Sequence, residues 1–417
     1  MSRPAVVIVA AQTPEALVQL CGISLLERHL RVLQRLSFTE ATILAHDPEV
    51  ITAHLEPPSW ARARLRTRVC AISDHVAVIE RLLVLPAGMY CDSRLLAVLL
   101  ASSGSAALID SSRPAAVLPL VAEAPRCKRG FVCGPALVDN SAPFDLAAPL
   151  HSQIARAVDA GLFDVIDVED EPTYIVGTRR HVRPIWFPAP NAQHRAAAEK
   201  LILNAAQKGT LDLPARVHGP VETWLIARLC RTRITPNQLT LLTMVVSLTV
   251  TAQYAAGHLV SGALTALAVG VLDGLDGKQA RVKVETTEAG EWEHELDYVL
   301  ETSWWMALAW HFYSTALGPL AFQLVGIFIV LDLLDRAGRG FVKRKIDRDL
   351  DDATRFDQAV RLIAARRNVF TWMLAAALLL GRPAEGFIAM CGWGIVSALV
   401  HLVREAWIMG RSASGTG

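Results

Sequence analysis

The sequence predicts a two-part chain: an α/β domain over residues 1–215, then an all-α, six-span transmembrane domain over residues 236–410. A connector at 216–235 joins them. Three observations carry this reading. Apolar residues make up 52% of the 417, but they are unevenly spread. Up to about residue 215 the composition is that of an ordinary soluble domain, and beyond it apolar runs dominate. Before 215, short β-like runs alternate with helical patterns, which argues for a largely parallel sheet covered by helices. Beyond 235, apolar segments approach the length needed to span about 30 Å of hydrocarbon, and basic residues gather on alternate connections.

In the first part, residues 5–10 (AVVIVA) read as a buried strand, and residues 25–36 carry apolar side chains at helical spacing. Strand patterns follow at 40–45, 69–72 and 81–86. Residues 189–207 read as a solvent-facing helix that closes the domain. Gly209, Pro214, Gly219 and Pro220 place a linker over 208–220. Residues 221–233 set Trp224, Leu225, Ile226 and Leu229 against Arg228, Arg231 and Arg233. That pattern suits an amphipathic helix lying at a membrane surface, and equally a connector packed only on protein.

The apolar segments are 239–256, 259–275, 296–313, 317–334, 369–380 and 386–403. Thr235 and Pro236 form a helix start before the first, as N-cap and first helical residue. Basic residues precede the first segment, separate the second from the third and the fourth from the fifth, and follow the sixth. The positive-inside rule then places both termini, the α/β domain and the 273–297 stretch in the cytoplasm, with the chain integral to an inner or plasma membrane. Met1-Ser-Arg leads straight into a strand pattern too short for a signal peptide's apolar core. The formal net charge of +1 gives no case for nucleic-acid binding. Seven scattered cysteines without a CxxC pair read as small buried hydrophobes in a reducing compartment.

The most informative stretch is 273–297, DGLDGKQARVKVETTEAGEWEHELD. Asp273 and Asp276 stand three apart, and Glu293 and Asp297 four apart, so each pair shares a helix face. Burying such acids in a bilayer costs about 2.5–3.5 kcal/mol each near its centre. Converging, they would repel one another unless cations sat between them. Asp273-Gly-Leu-Asp276-Gly277-Lys-Gln-Ala280-Arg281, followed after eight residues by Gly290, resembles the signature of the CDP-alcohol phosphotransferases, DxxDGxxAR then GxxxDxxxD. The first half matches at every defined position. In the second, strict counting falls on His294 and Tyr298. Acids with the required spacing occur one residue earlier, at Glu293 and Asp297, or with a longer insertion at Asp297 and Glu301. A one-residue shift turns a helix by about 100°, which the preceding loop must absorb.

The resemblance implies that Asp273, Asp276, Glu293 and Asp297 hold two Mg²⁺ or Mn²⁺ ions and that Asp297 takes the proton from a hydroxyl acceptor. It implies CDP binding at Gly277, Ala280 and Arg281. Arg336, Arg339 and Arg366 are candidates for binding a phosphorylated polyol acceptor, though the positive-inside rule explains them as well. The implied partners are a CDP-alcohol donor, a hydroxyl or phosphorylated polyol acceptor, membrane lipid and a second copy of the chain. Asp332 and Asp335 read as partners for the nearby arginines, and His311 and His401 as core histidines.

The first part resembles sugar-nucleotide nucleotidyltransferases, a Rossmann-like fold, in its Gly22-Ile-Ser-Leu-Leu-Glu-Arg segment and its Leu82-Leu-Val-Leu-Pro-Ala strand. Its chemistry reads as lost. The loop from Ala10 to Ala16 has no glycine, lysine or arginine for a triphosphate, and Gly88 stands where that family holds a metal-binding aspartate, leaving Asp92 nearby. The whole layout is similar to bifunctional inositol-phosphate cytidylyltransferase/di-inositol-phosphate-phosphate synthases. The expected activity is transfer of a phospho-alcohol from a CDP-alcohol to a hydroxyl, releasing CMP, in phospholipid or phospho-polyol synthesis. Its alternatives are a bifunctional enzyme with a working cytidylyltransferase and a non-enzymatic membrane scaffold.

Overall fold

The structure, a computed structural model, describes residues 5–413 apart from 11–12, 57–63, 74–80, 113–116, 123, 140–144, 147, 210, 286–289 and 347. Side chains 6–10, 13, 290–295 and 411–413 also lie outside the description.

The strands of the first domain are β1 (Ala5–Ala10), β2 (Glu40–Ala45), β3 (Arg66–Ala71), β4 (Arg81–Pro86), β5 (Ala106–Asp110), β6 (Gly130–Asp139) and β7 (Asp164–Asp167). They form one sheet in the order β7-β5-β6-β4-β1-β2-β3. Every pairing in it is parallel except those of β6, which runs antiparallel to both β4 and β5. The expected parallel sheet is therefore mixed at one position. Residues 82–86 are buried because both faces of the sheet are covered, which is why this run is apolar throughout. Helix α1 (Leu25–Arg35) starts at Ser24, whose hydroxyl accepts from the Glu27 N–H at 3.1 Å. Helices α2 (Pro48–Leu55), α3 (Ser93–Ala101), α4 (Leu150–Asp159) and α5 (Arg195–Ala205) complete the layers.

Within that core, His29 on α1 is fully enclosed and its Nε2 lies 2.7 Å from the Met89 carbonyl, so the neutral ring donates there. Burial pulls its pKa down to about 4 against the backbone hydrogen bond that favours the charged form. The folded state then binds fewer protons than the unfolded one between about pH 4 and the ordinary histidine value of 6.5. Stability therefore falls as pH drops through that window, by roughly 3 kcal/mol in all. Thermal melts at pH 7.5 and pH 5 should differ, and His29→Gln should shrink the difference. An equal pH dependence in the variant would remove His29 as the cause.

The second part contains α6 (Leu213–Leu229), α7 (Pro236–Ala255), α8 (Leu259–Leu272), α9 (Leu275–Lys283), α10 (Gly290–Phe312), α11 (Leu320–Ile346), α12 (Arg355–Ile363), α13 (Arg367–Leu379) and α14 (Pro383–Ala413). The linker expected at 208–220 is instead largely helical. Asp212 caps α6 by accepting from the Ala215 N–H at 2.8 Å, and the helix continues through Gly219 and Pro220. Burial of Pro214, His218, Glu222 and Ile226 along one face outweighs the hydrogen bond that Pro220 removes. Leu213, Val217, Val221 and Trp224 lie exposed. Thr235 and Pro236 start α7 as expected, with a reciprocal capping box to Gln238.

All six apolar segments are helical. Their shared core is aromatic: Trp305 and Phe328 meet Phe370 edge-on at 5.2 and 5.3 Å, and Phe312 packs on Phe387 at 5.0 Å. Outward-facing Leu241, Leu264, Val299, Val330 and Val403 leave apolar surface exposed. By length and composition, two of the described helices can cross a membrane, Leu259–Lys283 and Pro383–Gly410. A third qualifies if α12 and α13, bent by 43°, count as one span. Threonines and glutamines dilute α7, and charged residues enter α10 and α11.

Candidate active site

The break between α8 and α9 places two acids at one point. Asp273 caps the end of α8, and Gly274 opens α9. A Cβ at Gly274 would lie 2.7 Å from the Glu222 carboxylate, so a larger residue here would push that carboxylate of α6 aside. Asp273 is held by the Arg367 guanidinium at 2.6 Å, from the start of α13. Asp276 is buried and accepts from the Thr240 hydroxyl of α7 at 2.7 Å and from the Gly277 N–H. Asp297 on α10 lies in the electrostatic field of Asp273, Asp276, Glu301 and Arg367. Glu293 and His294 belong to α10, but their side chains lie outside the described residues.

The Asp273, Asp276 and Asp297 carboxylates share their field with Arg367, Lys208 and Arg281. Their oxygens are the donors that a hard divalent ion takes. Among the described residues no three histidine, cysteine, aspartate or glutamate side chains form a group able to hold a metal ion. Asp273, Asp276 and Asp297 match such an ion in donor type and charge but are not gathered into a ligand set here, and Glu293 lies one turn before Asp297 on α10.

The motif helix α9 is gripped from the other domain. Arg28 and Arg31 on α1 donate to the Val282 and Lys283 carbonyls at its C-terminal end, at 2.8 and 2.9 Å. Lys278 donates to Gln207 and, at 2.6 Å, to Thr223. Arg281 donates through Nε to the Ala206 carbonyl at 2.7 Å. A Cβ at Gly277 would lie 3.2 Å from the Arg281 Nη1, so the space that this glycine opens adjoins the guanidinium, with Ala280 half-buried alongside.

The three expected acceptor arginines separate. Arg336 pairs with Asp332 at 2.8 Å, lies 3.9 Å from Glu301 and covers the Tyr298 ring at 4.2 Å. Arg339 pairs with Asp335 at 2.7 Å, which also contacts buried His401 at 3.2 Å. Arg366 turns away to Asp351 at 3.0 Å, where Arg361 and Arg179 of the first domain converge at 3.5 and 3.3 Å. Burial would raise the Asp351 carboxyl, but these guanidiniums outweigh it and hold it below its usual range. The arginine that reaches the acids is Arg367. The sequence marks an Arg366–Arg367 pair and the expectation falls on Arg366, but Arg366 is the extended N-cap residue of α13 while Arg367 is its first helical residue, and only the second pairs with Asp273. Thr240, Glu222 and Arg179 carry no signal in the sequence, and only their long-range contacts reveal them.

In the first domain, a Cβ at Gly88 would come within 2.9 Å of the Glu15 carboxylate. Asp92 caps α3 and takes two hydrogen bonds from the Arg94 guanidinium, at 3.2 and 2.8 Å. Part of the expected phosphate loop, residues 11–12, lies outside the described residues.

No curated protein matches the chain. Among solved structures, it is similar to an inositol-1-phosphate CTP transferase from T. maritima at 11% identity, covering 48% of this chain and 97% of that one, with a TM-score of 0.34. A UDP-glucose pyrophosphorylase from Acinetobacter baumanii matches at 11% identity over 49% and 94%, TM-score 0.30. A 4-diphosphocytidyl-2C-methyl-D-erythritol synthase from Anaerococcus prevotii matches at 12% over 48% and 97%, TM-score 0.30. The family model of the CDP-alcohol phosphatidyltransferases matches residues 233–403, which include Asp273, Asp276, Asp297 and Arg367. Residues 233–403 thus match a CDP-alcohol phosphatidyltransferase domain, and the members of that family are transferases of substituted phosphate groups.

Proposed function

We propose that residues 236–410 form a six-span membrane enzyme that moves a phospho-alcohol from a CDP-alcohol to a hydroxyl acceptor and releases CMP. The observation that carries this reading is that Asp273, Asp276 and Asp297, from three successive helices, share one electrostatic field with Arg367, which lies 94 residues beyond Asp273 and pairs with it. The acceptor oxygen attacks the phosphorus bearing the alcohol, the bond from that phosphorus to the CMP oxygen breaks, and the acceptor's proton passes to the Asp297 carboxylate. Asp273, Asp276, Glu293 and Asp297 would hold Mg²⁺ or Mn²⁺, which when bound neutralises charge on the pyrophosphate. Arg367 keeps Asp273 aimed at the same point, and Thr240 does so for Asp276. Arg281, Gly277 and Ala280 border the nucleotide.

The exposed apolar face of α6 supports its placement in the headgroup layer, and the basic connections support a cytoplasmic site with both termini inside. Residues 1–215 act here as a scaffold for α9 rather than as a second enzyme. Glu15 puts a negative charge beside Gly88, the reverse of what a triphosphate needs, and Asp92 is occupied by Arg94. Detergent-purified protein incubated with a panel of CDP-alcohols and Mg²⁺ or Mn²⁺ should release CMP from at least one of them. Metal-independent release, or none across the panel, would refute the proposal. CTP turnover by the first domain would restore the bifunctional reading.

A further inference from the structure

A cavity of about 200 Å³ lies between the α/β domain and α9, and Asp273, Asp276 and Asp297 are not among its lining residues. Arg28 and Arg35 of α1, Arg94 of α3 and Arg281 of α9 line it, against one acid, Asp92. Asp92 already neutralises Arg94 through two hydrogen bonds, which leaves three arginines facing the space. Arg28 is only 4% exposed. It spends its terminal nitrogens on the Val282 and Leu20 carbonyls, at 2.8 and 3.4 Å, and its Nε is buried without a hydrogen-bond partner. Thr178 is 6% exposed, lines the same cavity, and its hydroxyl is also buried without a partner. Arg281 commits Nε to Ala206, while its terminal nitrogens and the Arg35 guanidinium have no hydrogen-bond partner among the described residues.

An unmade hydrogen bond on a buried donor costs about 1–3 kcal/mol, so two such atoms in one wall call for an acceptor between them. A phosphate monoester brings three acceptor oxygens and nearly two negative charges. That matches the guanidiniums in number and sign better than a carboxylate, with its two oxygens and single charge. We propose that this cavity binds a phosphate monoester between the α/β domain and the motif helix. Arg28 and Arg281 both bond across the junction, so a ligand held by them tightens the grip on α9 and raises the melting temperature of the whole chain.

The test uses full-length protein in detergent, with inorganic phosphate as the probe followed by ³¹P line broadening, and with glycerol 3-phosphate and CMP as competitors. Saturable binding at millimolar phosphate is expected, displaced by either competitor, with the stronger displacer identifying the alcohol that the phosphate carries. Arg35→Gln and Thr178→Val, both mild at their positions, should together weaken binding about tenfold, the value of one charge-assisted hydrogen bond. Asp273→Asn should bind as the wild type does. Absence of saturable binding overturns the proposal. So does binding that the double variant leaves intact or that Asp273→Asn abolishes, since the phosphate would then sit at the transfer site.

Discussion

Asp273→Asn and Asp276→Asn each lower CMP release by at least about a thousandfold, because each removes one anionic ligand from the set that would hold the divalent ion offsetting the pyrophosphate. A loss of that size corresponds to about 4 kcal/mol of transition-state stabilisation, within what a displaced metal ligand forfeits. The two substitutions are nearly isosteric, so folding should survive. In Asp276→Asn the new amide oxygen can still accept from the Thr240 hydroxyl, which now holds the carboxylate at 2.7 Å. In Asp273→Asn the amide oxygen can still accept from Arg367, losing only the ionic part of a contact at 2.6 Å. Gel filtration and melting curves therefore separate chemistry from collapse, and Mn²⁺ affinity measured by its electron spin resonance signal gives a readout independent of turnover. Normal CMP release from either variant would mean that the matched half-motif does not form the site.

How much of this was legible in the chain varies with the range of the forces involved. Strands β2 and β4 match their sequence patterns residue for residue, because each is a short β-rich run with its own local boundaries. Helix α7 was equally readable, since Thr235, Pro236 and Gln238 cap it within one turn. Helix α6 was read correctly from residue 221 but its first half was misread as linker, since Gly219 and Pro220 argue locally for a break while tertiary burial of Glu222 and Ile226 overrides them. The reversed direction of β6 left no local mark either. Its residues are buried on both faces, so the pattern is apolar without a direction. In the proposed site, the spacing of the acids marks them as candidates, but the residues that hold them left no such mark. Arg367 lies 94 residues from Asp273, and Arg28 lies 254 residues from the Val282 carbonyl that it caps. Spacing rules reach one or two helical turns, so partners at such separations appear only once the chain is folded.

The second large effect discriminates between the possible registers of the motif. If Asp297 is the base, Asp297→Asn lowers kcat by about a hundredfold to ten-thousandfold, the range for losing a positioned proton acceptor. His294→Ala, one helical turn from the strict count's other position, should stay within a few-fold of wild type. Glu301→Gln should fall between them. Glu301 shares the field of Asp297 and Arg367 and lies 3.9 Å from Arg336, so its charge shapes the site without receiving the proton. A purely structural role for Asp297 would lower activity equally at every pH. A base instead gives the wild type a rate that climbs with pH to a plateau, and the residual activity of the asparagine variant loses that climb. Should His294→Ala prove the more damaging substitution, the last two motif positions belong to His294 and Tyr298. Tyr298, whose hydroxyl is buried without a hydrogen-bond partner beneath Arg336, would then be the residue to replace next.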